Sequence, residues 1–129
     1  MVVYLYSALM ALMMIAFTFN VIFRRRTLGV AFGHGGHDHL ERAIRVHGNF
    51  AEFVPLALIL MFLAEDAGTM RWVIHIMGTM LVVARLCHAW GLTHGKMPFR
   101  VLGVVLTHTV LVTGAAFCLY FYFNGNPAD

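Results

Sequence analysis

Charge is what this sequence has least of. Only 12% of its 129 residues are charged, whereas 60% are hydrophobic; a soluble domain carries about 25% charged residues. Too few polar side chains remain to cover the surface of a small water-soluble globule, and the mean hydropathy of +0.78 points the same way. Basic residues are also few. Lysine occurs once, at Lys96, and the 9 Lys and Arg exceed the 6 Asp and Glu by a formal charge of only +3. That surplus is too small for a surface that follows a phosphate backbone, so no nucleic-acid partner is expected. The two cysteines, Cys87 and Cys118, both lie in apolar stretches. A disulfide-stapled secreted domain and a cysteine-based metal site are thereby excluded.

What the chain does have is long apolar runs. The first 23 residues contain no charged side chain and are followed by Arg24, Arg25 and Arg26. A secretory leader carries its positive charge before the apolar run, so this order reads as a retained membrane helix. Residues 27–38 are glycine-rich and aperiodic, which predicts a floppy loop. A second helix is expected from about residue 39 to 64, with Asp38 as its cap and Glu41 in the capping-box position. Further helices are expected over about 70–92 and 98–123. Pro98 suits the first turn of the last one, and Asn124-Gly125-Asn126-Pro127 ends it. The first helix spans about 2–23. The fold class is therefore all-α and integral to the membrane: a single domain, residues 1–129, forming an up-down bundle of four transmembrane helices.

Arg24, Arg25, Arg26, Arg42, Arg45, Lys96 and Arg100 gather at one set of span ends, and Arg71 stands alone at the other. Positive-inside orientation then puts both termini on the non-cytoplasmic side. Tyr4, Tyr6, Trp72, Tyr120 and Tyr122 fall near the outer ends and read as interfacial aromatics.

The second helix is the informative one. Its stretch free of polar side chains, Phe53–Ala64, rises only about 18 Å, short of a hydrocarbon core of about 30 Å. Polar residues must therefore enter the span. Glu41, Arg45, Asn49 and Glu52 follow at spacings of four, four and three, which places them on one stripe. Arg85 and His88 lie one turn apart on the third helix, and Arg100 opens the fourth. Two readings fit. In one, these residues form a structural ion network in which Glu41–Arg45 is an ordinary pair and the arginines snorkel to headgroups. In the other they face a ligand, because ionisable groups inside a span usually line a bundle interior or a binding site. The positive surplus suits an anion, arginine forks suit carboxylates, and Asn49 and Glu52 suit an amide and an ammonium. A small zwitterion of net negative charge, such as a tripeptide with two carboxylates and one amine, matches that set.

Residues Glu41 to Pro55, ERAIRVHGNFAEFVP, resemble the second-helix signature of the MAPEG family, membrane-associated proteins in eicosanoid and glutathione metabolism, in a bacterial-type form. The resemblance extends over nearly the whole chain. It implies a homotrimer in the bacterial inner membrane, with glutathione bound as co-substrate at subunit boundaries toward the cytoplasmic side. By motif position it implies that Arg45, Asn49, Glu52, Arg85 and His88 contact glutathione, that one of Arg24, Arg25 and Arg26 contributes from the first loop, and that Arg100 acts on the sulfur. The implied activity is a glutathione transferase or peroxidase acting on a lipophilic electrophile by way of an arginine-stabilised thiolate. Some members carry tyrosine or serine where this chain has Leu92, Val101 and Val104, so binding groups match better than reaction-specific groups. Two rivals remain: a glutathione- or anion-binding membrane protein without efficient chemistry, and a small anion transporter.

The remaining histidines invite blander readings. His34, His37 and His39 with Asp38 have metal-ligand chemistry, yet no metal site is assigned, because nothing in a glycine-rich loop fixes their geometry. His75 and His108 are expected to hydrogen-bond between helices.

Overall fold

The computed structural model describes residues 1–125, so Asn126 and Pro127 of the expected terminal stop lie outside the described residues. Four helices follow one another: α1 (Val3–Leu28), α2 (Asp38–Asp66), α3 (Arg71–Thr93) and α4 (Met97–Asn124). All four are long and apolar enough to cross a membrane. Their bounds lie within about two residues of those expected from sequence, except at the end of α1. There the helix continues through Arg24–Arg26 to Leu28 and stops at Gly29, whose positive φ turns the Val30 N–H back to the Arg25 carbonyl at 3.1 Å. Cations in a last helical turn sit favourably against the negative end of the helix dipole, so Arg25 and Arg26 extend the helix instead of ending it.

Consecutive helices run antiparallel, and packing is uneven. α2 touches each of the others and so does α3, whereas α1 and α4 make no contact among the described residues. The section is therefore a flattened rhombus with α2 and α3 on its short diagonal. The core lies along that diagonal and includes Phe50, Val54, Ala57 and Met61 of α2 with Ile74, Met77 and Leu81 of α3. Large apolar side chains such as Leu12, Ile59, Ile76, Val105 and Leu119 face outward, as lipid or a further protein surface requires.

Several local expectations are corrected. The N-cap of α2 is His37, not Asp38, and it makes no side-chain capping bond; Asp38 and Glu41 instead lie in the first turn. In the loop before it, Arg25 donates to the carbonyls of Val30, Ala31 and Gly33, the last at 2.8 Å. Tyr6 is buried rather than interfacial. Its ring fills the space over Gly78, where a Cβ would collide with it, and its hydroxyl contacts His75 Nδ1 at 3.1 Å and Thr79 Oγ1 at 3.0 Å. His75 thus bridges helices as expected. His108 does not: its Nδ1 contacts the Val104 carbonyl of its own helix at 2.8 Å, and its ring packs beside Phe53.

Candidate functional site

The site is built at the end of the bundle where α2 begins, α3 ends and α4 starts. A close α3–α4 approach sets its floor. A Cβ on Gly103 would lie 2.6 Å from the Ala84 carbonyl oxygen and 2.6 Å from His88 Cβ, and one on Gly91 would lie 2.9 Å from the Lys96 carbonyl oxygen and collide with the Arg100 backbone nitrogen. Glycine at both positions lets α4 start directly against α3 and brings Arg100 alongside His88. The short connection is tied back to α2 by Arg42, whose Nη1 donates to the Thr93 carbonyl at 3.4 Å.

Between these elements lies a cavity of about 190 Å³ lined by Arg45, Gly48, Asn49, Glu52, His88, Leu92 and Arg100. It adjoins a second of about 420 Å³ that shares Arg45, Leu92 and Arg100 and adds Asp38, Glu41, Arg42, Gly91, Gly95 and Met97. Small-molecule sites occupy about 300–1,000 Å³, so the two form a groove of adequate size. Four turns of α2 supply one wall, and His88, Leu92 and Arg100 supply the other. Five of the six residues singled out from the sequence line the inner cavity: Arg45, Asn49, Glu52, His88 and Arg100.

Arg85 lies behind that wall. It is only 2% exposed and spans three helices. Its Nη1 donates to Asn49 Oδ1 at 2.7 Å, and its Nη2 donates to Thr107 Oγ1 at 2.6 Å and to the Gly103 carbonyl at 3.4 Å. Thr107, also buried, donates in turn to the Gly103 carbonyl at 2.8 Å. Thr107 was missed in the sequence because a lone threonine in an apolar helix carries no signal; only the arginine opposite reveals it. Among the described residues, Arg85 Nε has no partner.

Electrostatically the inner cavity carries a surplus of positive charge. Arg45 and Arg100 are cations and Glu52 is the one carboxylate of the inner cavity. Arg45 is tethered by Glu41 at 3.1 Å, with the two side chains 62% and 38% exposed. An ion pair that open contributes at most about 1 kcal/mol, and it leaves much of the guanidinium fork free. Near the end of α1, Arg24 pairs with Asn20 of its own helix at 3.0 Å and lines a further cavity of about 650 Å³ with His37, Asp38 and His39. No group of three metal-ligating side chains comes together among the described residues. Cys87 and Cys118 are free thiols, both half-buried.

The model of the MAPEG family matches residues 3–120. The chain belongs to the MAPEG family. It is also 39% identical over 112 residues, 87% of this chain and 86% of the relative, to the inner membrane protein YecN of Escherichia coli strain K12, and equally to the YecN protein of strain O6:H1. With four helices of membrane-crossing length, this MAPEG member is an integral protein of the bacterial inner membrane.

Proposed function

We propose that the α2–α3–α4 groove binds glutathione and that the protein is a glutathione-dependent transferase or peroxidase acting on a lipophilic electrophile. The observation that carries this reading is the convergence of Arg45, Asn49, Glu52, His88 and Arg100 on one groove from three helices. Its chemistry fits the tripeptide: guanidinium forks for carboxylates, the Asn49 amide for a peptide group, and the Glu52 carboxylate for an ammonium.

Free glutathione has a thiol pKa near that of cysteine, about 8.5. A neighbouring guanidinium favours the thiolate, which is the nucleophile; Arg100 supplies that charge, and Arg45, Asn49 and Glu52 hold the tripeptide still. The thiol proton leaves to solvent. With an epoxide, the thiolate forms the S–C bond as the C–O bond breaks and the alkoxide takes up a proton. With a hydroperoxide, sulfur attacks the distal oxygen, the O–O bond breaks, and the leaving alkoxide is protonated to an alcohol; a second glutathione thiol then converts the sulfenic acid to the disulfide and water.

The surrounding assembly follows from the same reading. Both termini face the periplasm, since the basic residues gather at the other end, and the groove opens toward the cytoplasm. Three copies associate through the outward apolar faces, with the sites at their boundaries. A second reading is glutathione binding without efficient chemistry. It is favoured by Leu92, which lines the groove where a hydroxyl would serve as proton donor.

Calorimetric titration of reduced glutathione into the detergent-purified protein tests the proposal. Saturable binding, lost in the Arg45→Ala/Glu52→Ala variant, supports it. No binding to folded, oligomeric protein overturns it, and glutathione binding without turnover of epoxides or hydroperoxides favours the second reading.

A further inference from the structure

Arg85 raises a question that the groove alone does not answer. An arginine buried inside a span is costly, and this one neither lines the cavity nor meets a carboxylate. Its hydrogen bonds go to Asn49 Oδ1, Thr107 Oγ1 and the Gly103 carbonyl. Asn49, by contrast, does line the cavity.

The chemistry of this contact fixes more than a distance. A guanidinium has donors only, so the Asn49 atom facing it must be the carbonyl oxygen. The amide of asparagine is ordinarily ambiguous by a flip, and the partner resolves it. With Oδ1 held by Arg85 at 2.7 Å, the NH2 group is left for the groove side, where the two N–H groups act as donors. Thr107 holds the guanidinium from α4: its hydroxyl proton is committed to the Gly103 carbonyl, so its oxygen accepts the N–H that Arg85 donates. The orientation is therefore relayed from α4 through α3 to α2. An Asn49 free to flip would also offer its oxygen to the groove, which would repel a ligand carbonyl.

We infer that Arg85 is a positioning residue that acts through Asn49: it locks the amide so that the groove presents a paired donor and selects a ligand with a carbonyl or carboxylate oxygen at that level. This rests on the proposed binding of glutathione, whose peptide carbonyls and carboxylates are acceptors of that kind. Thr107 belongs to the same device, although it touches no ligand.

Three substitutions separate positioning from bulk structure. Asn49→Asp keeps an oxygen for Arg85 and adds a favourable charge but removes both donors. Its melting temperature should hold or rise while glutathione affinity falls at least tenfold. Thr107→Val preserves shape, leaves the groove lining intact and removes the shortest of the guanidinium's anchors on α4; affinity should fall about three- to tenfold. Arg85→Met should do the same with little loss of stability, since a packed apolar side chain can replace a buried charge. Unchanged affinity in Arg85→Met and Thr107→Val, beside a loss in Asn49→Asp, would overturn the inference and leave Asn49 acting alone. Should the wild-type protein not bind glutathione at all, the functional proposal fails, and the coupling is then read without ligand. In that case Asn49→Leu should lower the melting temperature of the wild type but not of the Arg85→Met variant. An equal drop in both backgrounds would overturn the inference.

Discussion

The Glu65 carboxylate caps a helix to which it does not belong. At the last turn of α2, its Oε2 accepts the backbone N–H of Val3 at 2.8 Å, and its Oε1 accepts that of Val2. α1 has no acidic residue in its first turn and no side-chain cap of its own, so α2 supplies both. The arrangement also relieves α2, because an acid at its C-terminus would otherwise face its own negative dipole end. Glu65→Ala should therefore destabilise the protein by about 1–2 kcal/mol, read as a lower melting temperature in detergent, with glutathione affinity unchanged at the opposite end of the bundle.

Gly91→Ala should act on the site through the backbone. The added Cβ meets the Lys96 carbonyl oxygen and the Phe99 carbonyl carbon at 2.9 Å, and neither can swing away as a side chain could. The start of α4 must shift, and Arg100 shifts with it. Overpacking of this kind costs about 1–3 kcal/mol, and glutathione affinity should fall together with stability. Wild-type affinity in this variant would mean that Arg100 tolerates displacement.

Arg45→Ala should separate affinity from stability. Its pair with Glu41 is open to solvent, so the melting temperature should change by the equivalent of about 0.5 kcal/mol or less. Glutathione affinity should drop tenfold or more, which isothermal titration reads directly.

Arg100→Ala tests the chemistry rather than the binding. Removing the guanidinium should return the bound thiol toward its ordinary pKa of about 8.5, and the thiolate absorbance of the complex at neutral pH should fall about tenfold while measurable binding persists. Unchanged thiolate absorbance would remove Arg100 from that role.

Much of the fold was legible because membrane spans are written locally: length and absence of charge suffice to place α1 and α4, although α1 runs on through its arginines to Leu28. The stripe Arg45, Asn49 and Glu52 was legible for the same reason, since helical periodicity alone places its members on one face. What escaped depends on a second helix. Tyr6 has the composition of an interfacial aromatic, and only the hole at Gly78 makes it core. Arg85 and Asn49 were both picked out as ligand contacts. Sequence spacing cannot tell an arginine that faces a groove from one that faces the back of a groove residue. Thr107 and Glu65 carried no signal at all, because their partners stand 22 and 62 or 63 positions away along the chain.

The buried fork of Arg85 also bears on how the protein is made. Its acceptors are synthesised on both sides of it, Asn49 before and Gly103 and Thr107 after. An arginine entering lipid within a helix costs about 2.5–3.5 kcal/mol on insertion scales, and α3 alone offers its guanidinium no side-chain acceptor. A nascent chain that ends at Thr93 solvates only one arm of the guanidinium, through α2. The apolar residues of α3 carry it into the bilayer, and the arrival of α4 supplies the acceptors for the second arm of the guanidinium.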